Sequence, residues 1–161
     1  MNWYVLYTVH YKTKKVISHL NRYNDIIAFM PEYELCQRKT KEIIVKPMFH
    51  NYVFVKTHRN QNEFNDFLLS LNDEKKGIIK QLRKEESTAL TLKEVEFFET
   101  ILDEQFVVRL SHGYQEDGLT RVVDGPLKSL EEHIVKVNKN KQCAYLDLYF
   151  FDRSICMGIE I

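Results

Sequence analysis

The sequence predicts an α+β fold in two parts, on three observations. Strand-like runs alternate with helical periodicity up to about residue 102. From Phe106 the texture changes to short strands broken by turns, with Gly113, Gly118, Gly125 and Pro126 close together. Neither part contains a repeat or a low-complexity stretch. The 161 residues accommodate one domain of ordinary size, or one medium and one small.

In order, Trp3 to Val9 reads as a strand of β-branched and aromatic residues. Lys12 to Tyr23 reads as a helix, with Val16, Ile17, Leu20 and Tyr23 on one face and Thr13 as its expected cap. A strand follows near Ile26 to Met30. Tyr33 to Val45 reads as a hairpin whose tip, Arg38-Lys39-Thr40-Lys41, is basic. A further strand covers Asn51 to Thr57. Phe64, Phe67, Leu68 and Leu71 mark a helix from Gln61. Ile78 to Leu82 reads as a strand, and Thr91 with Glu94 forms a capping box opening a helix to about Leu102. Strand, helix, two or three strands, helix, strand is the order of a ferredoxin-like domain, placed at 1–104. Strands at Val107 to Ser111, Thr120 to Val123, His133 to Val137 and Ala144 to Phe150, with a turn at Asn138-Lys139-Asn140, fit a small SH3-like β-barrel at 105–161.

Hydrophobic content of 44% with 29% charged residues is that of a soluble globular chain. No apolar run of membrane-spanning length and no signal-peptide pattern occur, so a cytoplasmic protein is expected. Cys36, Cys143 and Cys156 are three cysteines at wide spacing, read as reduced thiols. The six histidines show no metal-ligand spacing, and neither a phosphate loop nor carboxylates paired beside a nucleophile is present. A non-enzyme without cofactor or metal is therefore expected. The net charge of zero hides an asymmetry. Ten bases against four acids through Arg59 leave +6, and the remaining thirteen against nineteen leave −6. Such a split hints at nucleic-acid contact by the first part.

The most informative block is Lys46-Pro47-Met48-Phe49-His50-Asn51-Tyr52-Val53-Phe54-Val55-Lys56. Tyr52, Phe54 and Lys56 share one strand face, Val53 and Val55 the other. Both faces carry apolar bulk, so one face is expected on a core and the other offered to a partner. With Trp3 to Val9 and the basic Lys12-Thr13-Lys14-Lys15, this block resembles the amino-terminal (NGN) domain of NusG-type transcription factors. Gly118, Arg121-Val122-Val123-Asp124-Gly125-Pro126-Leu127-Lys128 and Glu132 to Val137 resemble the KOW motif. His50 and Asn51 stand where housekeeping members carry Pro and Gly. Asn tolerates left-handed backbone, and the pattern resembles the specialised antiterminators of the RfaH and LoaP type, the C-terminal stretch LoaP more than RfaH.

The resemblance implies docking on the β′ clamp helices of RNA polymerase through Trp3, Tyr7, Phe49, Tyr52 and Phe54. It also implies bridging to the β subunit and suppression of pausing and termination by a monomer. His10, Lys12, Lys14, Lys15, His19 and Arg22 would face non-template DNA. The basic tip with Arg38, Lys39 and Lys41 reads equally as a second nucleic-acid contact or as a blunted sheet edge. In the KOW domain Arg121, Lys128, His133, Lys136, Lys139, Lys141 and Arg153 are candidates for a nascent RNA hairpin. A ribosomal protein or a termination factor is another partner for that domain. A general elongation factor and a KOW-bearing ribosome-associated module are the alternatives.

Overall fold

The computed structural model describes residues 1–84 and 89–161. Twelve strands and three α-helices are found among them: β1 Asn2–Thr8, α1 Thr13–Leu20, β2 Ile27–Phe29, β3 Glu32–Cys36, β4 Ile43–Pro47, β5 Tyr52–Thr57, α2 Gln61–Ser70, β6 Ile78–Leu82, α3 Leu92–Ile101, β7 Val107–Val108, β8 Ser111–Glu116, β9 Leu119–Asp124, β10 Ile134–Asn138, β11 Cys143–Phe150 and β12 Arg153–Glu160. Short 3-10 segments precede α1, precede β6 and span Pro126–His133. The fold is mixed α+β, as the sequence predicts.

Contacts divide the chain into two units that are discontinuous in sequence. The first comprises 1–30 and 49–97, the second 31–48 and 98–161. Sequence order alone places a single division at 104–105. The hairpin β3–β4 belongs by contact to the second unit, because β3 pairs in parallel with β7.

In the first unit the sheet runs β2-β5-β1-β6, all neighbours antiparallel, the ferredoxin-like order. Period 2 decides what each face meets. Tyr4, Leu6, Val53 and Val55 pack with Val16, Leu20, Phe64 and Phe67 from the two helices. Tyr4 stacks on Phe64 at 4.3 Å between ring centroids. Helix α2 begins with a capping box: the Asn60 side chain accepts from the Glu63 backbone N–H, and the Glu63 carboxylate accepts from the Asn60 N–H. In α1 the expected cap at Thr13 is corrected. Lys12 is the capping position, without a side-chain bond. Thr13 is instead the first helical residue, buried, with its hydroxyl 2.7 Å from that of Thr8 and near the Val9 and His10 carbonyls. The capping box at Thr91 and Glu94 forms as expected, its bonds 2.9 and 3.2 Å long.

In the second unit a five-stranded sheet runs β10-β11-β12-β8-β9, and a three-stranded one β4-β3-β7. The expected strand at 107–111 is split into β7 and β8. Asp117 and Gly118 close the β8–β9 hairpin at φ 51° and 77°. Gly125 lies at φ 93°, where a Cβ would meet the Ser111 hydroxyl at 2.4 Å. The turn at Asp124-Gly125-Pro126 thus requires glycine. Glu34 on β3 accepts from the Leu110 N–H at 2.9 Å and from Arg109 at 3.2 Å. Burial pushes the Asp103 carboxyl up, but hydrogen bonds from the Val107 N–H, the Arg109 guanidinium and the Gln105 N–H outweigh it and hold it below the usual range.

At Gly158 on β12 an added Cβ would lie 1.9 Å from the Glu34 carbonyl oxygen. That is a backbone atom, which cannot turn aside. Gly158→Ala should lower unfolding stability by about 1–3 kcal/mol, as other overpacked sites do. Urea denaturation checks this, and an unchanged midpoint would contradict the close approach of β3 and β12.

Candidate functional site

Two surfaces follow from the elements of the first unit. One is an aromatic layer on the sheet face opposite the helices. Trp3, Val5 and Tyr7 of β1 lie beside Tyr52 and Phe54 of β5, whose register pairs Trp3 with Lys56, Val5 with Phe54 and Tyr7 with Tyr52. Trp3 meets Phe29 and Phe54 edge-on at 5.8 and 6.4 Å, and Tyr7 meets Tyr52 edge-on at 6.0 Å. Phe49 stacks on both Tyr52 and Phe54. Lys56 places its ammonium 4.6 Å from the Trp3 ring centre, a cation–π contact at the border of the layer.

The strand's second face, expected to be offered to a partner, carries rings of low exposure in the chain as a whole. Trp3 is 2% exposed, Phe49 1%, Tyr52 5% and Phe54 0%, and Tyr7 alone among the five is half-buried. Edge-to-face and stacked contacts join these six aromatics into one packed layer. Period 2 identifies the shared face but not these ring contacts.

The turn feeding β5 forms with Asn51 at φ 69°, the left-handed conformation that asparagine tolerates. Its carbonyl accepts from the Thr8 N–H at 2.9 Å and from the Thr8 hydroxyl at 3.0 Å, tying the turn to the end of β1. The side-chain oxygen of Asn51 lies 3.2 Å from Nδ1 of His10. His50 is exposed.

The second surface is basic. Thr13, Val16 and Leu20 turn α1 inward, which leaves Lys14 and Lys15 exposed, with His10 before the helix and Arg22 after it. Lys12, Lys15 and His19 line a cavity of about 260 Å³ together with Lys76. Sequence reading missed Lys76, which reaches this place because Gly77 lets the 73–77 segment approach α1. A Cβ there would stand 2.5 Å from Val16. Asp73 pairs with Lys76 at 3.2 Å. Tyr11, also missed, is 80% exposed beside Lys12.

The second unit sorts its candidates into separate places. Arg38 and Lys39 of the hairpin tip line a cleft of about 1010 Å³ with Lys46 and Lys141, over Tyr33 and Tyr145. Arg38 donates to the Asn140 side chain at 3.2 Å, which brings tip and β10–β11 turn together. Lys41, exposed at φ 63°, and Lys139, exposed, do not line that cleft. Arg121 and Lys128 line another cleft, of about 580 Å³, where Arg121 pairs with Glu131 at 3.3 Å. The Val122 N–H, and then Arg121, hold the Glu131 carboxyl below its usual range. His133 sits 2.9 Å from Asp147, and Lys136 and Arg153 lie apart on β10 and β12. The seven KOW candidates therefore do not form one patch. No cluster of His, Cys, Asp or Glu suited to a metal occurs among the described residues.

A family model described as the transcription termination factor nusG matches residues 1–101. The chain belongs to the NusG family. Among solved structures it is similar to NusG of Thermotoga maritima, with a TM-score of 0.52 and 16% identity, over 97% of this chain and 91% of that one. That likeness carries the fold of both parts of a NusG protein, amino-terminal domain and KOW-like β domain. No curated protein matches. As a member of the NusG family the chain is a transcription factor. The match ends at Ile101, the last residue of α3, so it spans both the aromatic layer and the basic surface of α1. No described helix of this NusG-family chain is long and apolar enough to cross a membrane.

Phe54→Ala should destabilise the fold by about 3–5 kcal/mol, the range for emptying a buried Phe site. Tyr7→Ala should cost clearly less, since Tyr7 is half-buried. Equal unfolding midpoints for Phe54→Ala and the parent chain would contradict the packed layer.

Proposed function

We propose that this chain is a processive antitermination factor of the specialised LoaP/RfaH branch. Residues 1–104 form the domain that docks on the β′ clamp helices of RNA polymerase and bridges toward the β subunit. Holding the clamp closed in this way suppresses pausing and termination. The basic surface of α1 then faces non-template DNA. Residues 105–161 form the KOW domain, which takes a nascent RNA hairpin, a ribosomal protein or a termination factor.

The observation that carries this reading is the His50-Asn51 turn. Asn51 keeps the left-handed backbone at φ 69° that the family's glycine supplies, while His50 replaces the usual proline. The turn also delivers Tyr52 and Phe54 to the face where docking aromatics belong. Those rings are buried here, so docking through Phe49, Tyr52 or Phe54 requires that they be uncovered. Tyr7 is the ring already part-exposed, and it is the appropriate residue for a binding test.

Transcription through an intrinsic terminator with purified polymerase separates the readings. An antiterminator raises read-through when its leader sequence is present. Increased termination would favour the general elongation and termination role that the family description names, and failure to bind polymerase at all would favour a ribosome-associated module. Tyr7→Ala should weaken polymerase binding by about 1–2 kcal/mol with the fold retained, the range of an interface aromatic. Unchanged affinity would remove Tyr7 from the contact. Replacing Lys14 and Lys15 together by Ala should reduce the salt slope of DNA binding by roughly one to two units if both meet phosphates. A slope identical to that of the parent chain would place the DNA elsewhere.

A further inference from the structure

The three cysteines, more than a hundred residues apart in sequence at their extremes, line one cleft in the second unit, with Tyr33, Tyr145 and Lys141 beside them. Two of them are neighbours on one sheet face. In the β11–β12 ladder Cys143 stands opposite Gly158 and Tyr145 opposite Cys156, so Cys143 and Cys156 are diagonal on the same face. Gly158 has no side chain to fill the space opposite Cys143. The Cys143 and Cys156 thiols hydrogen-bond to each other. All three cysteines are free thiols.

We propose that Cys143 and Cys156 are an oxidant-sensitive dithiol, a modification site that a small peroxide entering the cleft converts to a disulfide. Cys143 is the attacking sulfur. The hydrogen bond from Cys156, with Tyr145, Lys141 and Lys46 adding to it against the effect of burial, pulls its thiol down to about 6. Cys156 is pushed the other way by the same hydrogen bond and by burial, so the pair shares its proton on the Cys156 side. Cys36 is raised by burial and by the Glu160 carboxylate, which keeps it a thiol. It is buried, as Cys143 is, but its own hydrogen bond goes to the Gln37 carbonyl at 3.9 Å. The cleft thus holds one reactive sulfur, one partner for it and one bystander.

The chemistry balances with a hydroperoxide as oxidant. The Cys143 thiolate attacks one peroxide oxygen, the O–O bond breaks, and the departing hydroxide takes a proton to become water. Cys143 is then a sulfenic acid. The Cys156 sulfur attacks it, the S–O bond breaks, and the expelled hydroxide takes the Cys156 proton. Two thiols are oxidised by two electrons, and one hydrogen peroxide is reduced to two waters. A diagonal pair must shear the strands slightly to reach disulfide geometry, which leaves the bond open to reduction by a dithiol.

The test treats the full chain with hydrogen peroxide, counts thiols and maps the linked peptides by mass spectrometry. The expected result is a fall from three free thiols to one, with a mass loss of about 2 Da on a Cys143–Cys156 cross-linked pair, reversed by dithiothreitol. Cys36→Ser should oxidise as the parent does. Cys156→Ser should stop at a Cys143 sulfenic acid that dimedone traps. Retention of all three thiols under conditions that oxidise a small dithiol would overturn the proposal, as would a linkage through Cys36. The parent chain alone decides the linkage, so a variant that fails to fold does not rescue it.

Discussion

The antiparallel pairing of β1 with β5 is the constraint on which the first unit depends. It runs unbroken from Asn2 opposite Thr57 to Tyr7 opposite Tyr52. Because side chains alternate, this register alone sends Tyr4, Leu6, Val53 and Val55 to the helices and Trp3, Tyr7, Tyr52 and Phe54 to the aromatic layer. A slip of one residue would exchange the faces and strand the rings among the helices. The Asn51 turn guards against that slip. Its carbonyl is bound twice by Thr8, and its left-handed backbone sets where β5 begins. Thr8 in turn shares a hydrogen bond with Thr13, so the turn, the central strand and the start of α1 are one connected unit.

That connection bears on function through the placement of α1. The helix carries Lys14 and Lys15 outward because Thr13, Val16 and Leu20 are held inward. Gly77 then lets Lys76 join Lys12, Lys15 and His19 around one cavity. A basic surface built on a helix whose inner face is fixed by the sheet presents its charges at defined spacing, which suits a phosphate backbone. The KOW candidates lack such an organiser. Arg121 and His133 are already engaged by Glu131 and Asp147, so the bases available to a polyanion there are fewer than composition suggests.

Local chemistry was legible in the sequence where it acts locally. The helix at 61–70, the Thr91–Glu94 capping box, the basic hairpin tip and the glycine at 125 each follow from a few adjacent residues and formed as read. The Asn51 turn was legible for the same reason. Other features depend on distant partners and could not be read. Thr13 has the right side chain for a cap, but Thr8 and the Val9 and His10 carbonyls claim its hydroxyl. The β11–β12 turn uses Phe151 and Asp152 at φ 47° and 63°, without the glycine or asparagine that would announce it. Nothing local showed that β3 pairs with β7, or that three scattered cysteines line one cleft. The burial of Phe49, Tyr52 and Phe54 belongs to this class. The rings come from separate segments, and no single strand reveals their burial.

The most direct test of how far those rings are withdrawn from solvent uses Trp3. It is the one tryptophan of the chain and is 2% exposed, in contact with Phe29 and Phe54. Its fluorescence therefore reports on the aromatic layer alone. Acrylamide quenching of the folded chain, compared with the chain in concentrated denaturant, measures its access to solvent. The packed layer predicts blue-shifted emission and quenching several-fold weaker in the folded state. Quenching as strong in the folded chain as in the unfolded one would show that the rings are open, and would contradict the account.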